Sequence, residues 1–172
     1  MNLKNKFYKN FYVKIEISAN SDPIKYEIHK NNLIVDRFIP TSMHYPCNYG
    51  YIKKTLSLDK DPLDALVITP YPLAPLSIIK CRTIGILNME DESGIDFKIL
   101  CVPHKSISEE YNFIKNISDI SEIVLKKITH FFKYYKNLEN NKWSKVKNWG
   151  NKKKSQKIIE NSYKKYLKKK KN

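Results

Sequence analysis

Apolar and polar positions alternate along residues 11–17, FYVKIEI. Phe11, Val13, Ile15 and Ile17 share one face and Tyr12, Lys14 and Glu16 the other, which predicts a half-buried strand. Residues 25–38, KYEIHKNNLIVDRF, read as two strands around an Asn31-Asn32 turn, a composition that hairpins favour. Period two puts Lys25 and Glu27 on the same face of the first of them. Later runs, ALVITP, SIIKCRTIGIL and DFKILCVP, are rich in β-branched residues and predict further strands. In the last of these Asp96 and Lys98 share a face.

From Ser118 the period changes to that of a helix. Ile120, Ile123, Val124, Ile128, Phe131, Phe132 and Tyr135 form its apolar side, Ser118 serves as N-cap, and Asp119 and Glu122 suit its first turn. A second helix is expected from about Lys153 to Leu167, with Ile158, Ile159, Tyr163, Tyr166 and Leu167 as its apolar side. Strands followed by helices predict an α+β fold, and many short strands predict a small β-barrel with flanking C-terminal helices rather than an open sheet. With 172 residues and no internal repeat, the whole of 1–172 is expected to form one domain, with a Lys-rich tail over about 152–172.

Composition narrows the function. No apolar run approaches the ~18 residues that cross a membrane, and the opening MNLKNKFYKN lacks a secretory apolar stretch. Cys47, Cys81 and Cys101 have no metal-ligand spacing and read as reduced thiols, which predicts a cytoplasmic protein. The net charge of +15 invites a nucleic-acid reading. Its distribution argues the other way: residues 142–172 hold 13 Lys and one acid, while residues 1–141 carry 19 basic and 16 acidic groups. Lys, Asn and Ile together make up 69 of the 172 residues, the bias of an AT-rich coding sequence. A nucleic-acid partner is therefore not expected. A nucleic-acid-binding barrel would also leave the body's acids without a task.

Those acids are concentrated. LSLDKDPLDAL (56–66) places Asp59, Asp61 and Asp64 within six residues. Two carboxylates ~5 Å apart repel by roughly 3 kcal/mol at an effective dielectric of ~20. A solvated loop tolerates that. Flanking apolar residues tie this stretch to the core, where the repulsion calls for a hard cation such as Mg²⁺. The stretch lacks the Gly and Glu of an EF-hand loop, and Leu63 interrupts the D-x-D-x-Thr/Val order of haloacid-dehalogenase-type phosphatases. A second acid cluster is MEDESGIDFK, with Glu90, Asp91, Glu92, Asp96 and Lys98. Tyr45, Tyr49 and Tyr51 gather in MHYPCNYGY. Arg37 is one of two arginines against thirty lysines, so its planar fork fits a phosphate grip or an ordinary ion pair. With no Ser-His-Asp order and no reactive Cys context, a metal-activated water is the natural nucleophile toward a phosphate-rich substrate.

The stretches YVKIEISANSDPIKYEI, VDRF, YPCNYGYI, LDKDPLDAL, TPYPL, MEDESGID, CVPH, HFFKYYKNLE and KW, in this order over roughly residues 11–150, resemble the soluble family I inorganic pyrophosphatases of bacterial type. The resemblance implies a distorted five-stranded, OB-like barrel and hydrolysis of inorganic diphosphate to two phosphates with several Mg²⁺ ions. It implies Asp59, Asp64, Asp91 and Asp96 as metal ligands, with Asp64 bridging two ions, and Asp61 as general base. Lys25, Arg37, Tyr49, Lys98, Tyr135 and Lys136 match phosphate-holding groups. Glu16, Glu27 and Tyr45 match further active-site positions. Bacterial members are commonly hexamers, and His130 matches a histidine at their subunit contacts. The chain departs from the family pattern at Lys60, where Gly is frequent and an outward side chain is expected. It also departs at Ser18, where Pro is usual, and near Leu76, where a Gly is usual. The Lys-rich C-terminus matches no family feature.

Overall fold

A computed structural model describes residues 7–171. Residues 1–6, part of the opening read as free of a secretory segment, and Asn172 lie outside the described residues. Eight strands and two helices follow in the order β1 Phe11–Ile17, β2 Ile24–His29, β3 Asn32–Phe38, β4 Asn48–Ile52, β5 Asp64–Val67, β6 Ile78–Asp91, β7 Gly94–Pro103, α1 Glu122–Tyr134, β8 Ser144–Asn151 and α2 Lys152–Lys171.

The main sheet runs β1-β4-β5-β7-β6-β8, and β1 also pairs with β6. That extra pairing closes β1, β4, β5, β7 and β6 into a five-stranded ring, as the α+β barrel reading expected. The 14-residue β6 makes closure possible. Its first part, Ile78–Cys81, pairs with β1, and its later part, Gly85–Asp91, pairs with β8. β5 and β7 pair in parallel, which sets Asp64 opposite Lys98. β2 and β3 form a separate two-stranded hairpin.

Alternation sorts the core. Phe11, Val13 and Ile15 join Ala65, Val67, Ile99 and Cys101 in one cluster, which Ile159 of α2 closes. Leu66, Leu87, Met89 and Leu100 join Phe131 and Phe132 of α1 in a second. Burying each of the Val, Leu, Ile, Met and Phe side chains among them contributes about 1.5–3 kcal/mol. The three cysteines are free and buried. No helix among the described residues is long and apolar enough to cross a membrane.

Several details differ from the sequence expectations. The β2–β3 turn lies one residue earlier, at Lys30-Asn31, with both residues at positive φ (47° and 67°) and His29 paired with Asn32. Such a two-residue turn matches the twist of the strands it joins. α1 begins at Glu122 with Ser121 as N-cap; Ser118 and Asp119 belong to a 3₁₀ turn, Ile117–Asp119. There the Asp119 carboxylate accepts the backbone N–H groups of Lys115 and Asn116, which caps the start of that turn and takes Asp119 out of α1. Ile123, expected on the apolar side, is 58% exposed. β4 and β8 had no strand signal of their own. In β1, Ile15 pairs with Gly50 and Ile17 with Tyr49, so Glu16 is the extra residue of a bulge. The bulge moves Ile17 into the α1-side cluster and leaves Glu16 7% exposed rather than on the outer face.

Candidate active site

A cavity of about 260 Å³ opens where the hairpin, the ring and the end of α1 meet. Thirteen of the fourteen residues singled out for the site line it: Lys25, Glu27, Arg37, Tyr45, Tyr49, Asp59, Asp61, Asp64, Asp91, Asp96, Lys98, Tyr135 and Lys136. Glu16 lines an adjoining space of about 210 Å³ that shares Lys25, Glu27, Asp61 and Asp64. These residues run from Glu16 to Lys136 along the chain, and the ring brings them together.

Lys98 stands at the centre. Its Nζ lies 2.8 Å from Asp64 Oδ2 and 2.9 Å from Asp96 Oδ2. The Asp64–Lys98 contact follows from the parallel β5–β7 register, and the Asp96–Lys98 contact from their shared face of β7. The Tyr49 hydroxyl donates to Asp64 Oδ2 at 2.7 Å. Burial pushes the Asp64 carboxyl up, but the charge of Lys98 and the hydrogen bonds from Lys98 and Tyr49 outweigh it and hold Asp64 below the usual carboxylate range. Burial raises Asp96, partly offset by Lys98, while the Asp64 charge adds to the rise. Burial alone would neutralise Lys98; its two carboxylates hold it charged.

A second knot forms at the other wall. Lys136, one residue past the Tyr135 cap of α1, donates to Asp91 Oδ2 at 2.9 Å and to Glu92 Oε1 at 3.0 Å. Glu92 and Ser93 form the two-residue β6–β7 turn, since Asp91 pairs with Gly94. Phe132, Tyr135 and Lys136 lie three and four residues apart, so one helix end delivers all three to the cavity.

Arg37 donates from Nε to Glu139 Oε2 at 2.6 Å and from Nη1 to Asp36, so it lines the cavity while held by two acids. Arg82 lies elsewhere and donates to the backbone carbonyls of Tyr111 and Ile114, a structural brace. Glu16 accepts the Ile28 N–H at 3.2 Å, and burial lifts its carboxyl to about 7 against the pull of Lys25.

The aspartate loop is drawn tight. Asp59 Oδ1 accepts the Asp61 N–H at 3.0 Å, and the Ser57 N–H donates to the Asp61 carbonyl at 2.7 Å. Asp61 is raised by burial and then by the charges of Asp59 and Asp64. Lys60 sits between them at φ 75°, exposed and outside the cavity lining, so its side chain is outward as expected. Leu76, near the second position where the family has Gly, also holds a positive φ, 72°. Both departures therefore put a side chain where glycine is freest.

Glu92, Ser93 and Lys142 also line the cavity, and Glu139 holds Arg37. The sequence reading did not assign them. Glu92 was visible in MEDESGIDFK, and Glu139 and Lys142 lie in the stretches HFFKYYKNLE and KW, which carry the resemblance but gave these two residues no role.

Seven carboxylates and five basic groups line the cavity, an excess of negative charge. Among the described residues no ion pair reaches Asp59 or Asp61, and no three acids converge on one point as a ready metal cage. Lys98 Nζ bridges Asp64 and Asp96, and Lys136 Nζ bridges Asp91 and Glu92. Such a cavity repels a polyanion unless hard cations enter with it. Its all-oxygen donors fit divalent ions of that kind.

Comparison with known proteins agrees with this arrangement. The inorganic pyrophosphatase family model matches residues 13–167. The chain is 56% identical over 162 residues to an inorganic pyrophosphatase of Buchnera aphidicola subsp. Baizongia pistaciae, covering 93% of each chain. It is 57% identical over 145 residues to an inorganic pyrophosphatase of Escherichia coli, covering 83% of this chain and 82% of the other. Its fold superposes on that of an inorganic pyrophosphatase from Coxiella burnetii with a TM-score of 0.90 at 48% identity, over 92% of this chain and 96% of that one. With a family match over most of the chain and more than half of the aligned residues identical, the chain belongs to the inorganic pyrophosphatase family.

Proposed function

We propose that this cavity hydrolyses inorganic diphosphate to two phosphates by water attack, with Asp61 as the base. The carrying observation is the meeting of Asp59, Asp61, Asp64, Asp91 and Asp96 with Lys25, Arg37, Lys98 and Lys136 around one small cavity in a chain of this family. The family works with a divalent metal cofactor, and Mg²⁺ is the ion we assign. Asp59, Asp64, Asp91 and Asp96 would hold it, and it would supply Lewis acidity toward the phosphate oxygens and toward water.

The chain's own groups divide the remaining work. Asp61 is more basic than a free aspartate, because burial and then the charges of Asp59 and Asp64 raise it. It suits a group that takes a proton from the attacking water. Lys25, Arg37, Tyr49, Lys98, Tyr135 and Lys136 orient the two phosphates and offset the charge that develops on the leaving one. Glu16, Glu27 and Tyr45 support the wall, Glu16 and Glu27 through water. Glu139 fixes Arg37 in the cavity wall.

Asp61→Asn keeps the shape of the loop and removes the base. Turnover is expected to fall at least a hundredfold, with binding of Mg²⁺ measured by calorimetry within a few-fold of the parent. Parent-like turnover would overturn the assignment of Asp61.

We further read residues 1–172 as one domain, acting in the cytoplasm as a homohexamer. The outer face of α1 supports the assembly: His130, Ile123 and Val124 line a mainly apolar groove of about 590 Å³ with Met43 and His44. Light scattering on the eluted protein is expected to give the mass of six chains, and the mass of one chain would refute it.

A further inference from the structure

The lysines of α2 are the one strong charge feature that the reading above leaves without a task. Residues 152–172 hold ten Lys and a single acid, Glu160. Their placement is not uniform. The Leu56 N–H donates to the Ser162 carbonyl at 3.0 Å, which pins the aspartate loop against α2. A groove of about 390 Å³ separates Ser57 and Leu58 of that loop from Ile158, Lys165 and Lys168 of the helix.

Helical geometry extends this contact. At ~100° per residue, Ile158, Ser162, Lys165 and Lys169 fall within one narrow stripe of α2. The stripe begins apolar and packed, meets the start of the aspartate loop at Ser162, and ends in exposed cations as the loop reaches its acids. Lys164 is paired with Glu160 at 2.8 Å, whereas no ion pair holds Lys165, Lys168 or Lys169 among the described residues. The loop thus carries a cluster of uncompensated carboxylates beside a run of uncompensated ammonium groups. A bare carboxylate loop would repel an incoming polyanion.

We propose that Lys165, Lys168 and Lys169 form a cationic collar beside the aspartate loop that draws diphosphate, free or with its metal, toward the cavity. The collar raises the rate of productive capture and leaves the chemistry of bound substrate unchanged. The inference rests on the diphosphatase reading. A surface lined by charge of one sign raises the local concentration and association rate of an oppositely charged substrate, and the effect falls with salt.

The test is the full-length variant in which all three lysines are replaced by Gln, which keeps helix propensity and side-chain length. At low ionic strength kcat/KM for diphosphate with Mg²⁺ is expected to fall on the order of fivefold, with kcat within about twofold of the parent. The gap should close near ~0.5 M salt, where the screening length is roughly 4 Å. A second variant, Lys153, Lys154 and Lys157 to Gln, removes the same charge from the far end of α2 and is expected to match the parent. Equal kcat/KM for parent and collar variant at low salt would overturn the proposal. So would an equal loss in both variants, since net charge rather than place would then be responsible. An inactive parent would instead sink the diphosphatase reading itself.

Discussion

Glu16 is held where a carboxylate is least at home. The bulge turns it inward, burial lifts it to about 7, and one backbone N–H is its sole hydrogen-bond donor among the described residues. The folded state therefore binds a proton that the unfolded chain releases near 4.5, so this residue's contribution to stability falls as pH rises from about 4.5 through 7. With metal chelated, Glu16→Gln is expected to stabilise the protein by about 2 kcal/mol at pH 8 and by almost nothing near pH 4.5, measured by urea unfolding. A variant less stable than the parent at pH 8 would contradict the account. Lys60 makes a backbone case. At φ 75° a lysine costs about 1 kcal/mol or more relative to glycine, offset in part by the freer unfolded chain that glycine creates. Lys60→Gly is expected to leave kcat unchanged and to gain up to about 1 kcal/mol; a clear loss of stability would show that Lys60 makes a contact of its own.

The elements differ in how plainly the sequence announces them. β1 matches the bounds of its alternating run to the residue, because a half-buried strand writes its pattern locally, and only the bulge at Glu16 breaks the alternation. β4, NYGYI, has no such pattern, since it is packed on both faces and carries a glycine. Gly50 is there because β1 crosses closely: a Cβ at that position would lie 2.0 Å from the Lys14 carbonyl oxygen and 2.9 Å from Ile15 Cα. Gly50→Ala is expected to cost about 3 kcal/mol or to prevent folding, read from the thermal midpoint, because both obstacles are backbone. β8 is Lys- and Asn-rich, and pairing with β6 rather than propensity makes it a strand. The start of α1 falls later than its sequence signal for a related reason: Ser118 is a good cap, but Asp119 is taken up by the 3₁₀ turn before the helix.

At the scale of the molecule, the closing contacts are those no local pattern carries. The β1–β6 pairing and the parallel β5–β7 pairing join residues far apart in the chain, and they place Lys98 between Asp64 and Asp96. Spacing alone marked LSLDKDPLDAL as a place needing a cation. The resemblance, not spacing, named Glu16, Lys25, Tyr45 and Tyr135 as companions. Glu92 and Glu139 went unassigned because they act on other side chains, Lys136 and Arg37, and such roles appear only when the partners meet. The central claim is that this meeting makes a metal-assisted diphosphatase. Its most direct test is phosphate release from inorganic diphosphate by the purified chain, with Mg²⁺ and then with excess chelator. The account predicts two phosphates per diphosphate with Mg²⁺, near-complete loss on chelation and recovery when Mg²⁺ is restored. No release with Mg²⁺, or release that chelation leaves unchanged, would contradict it.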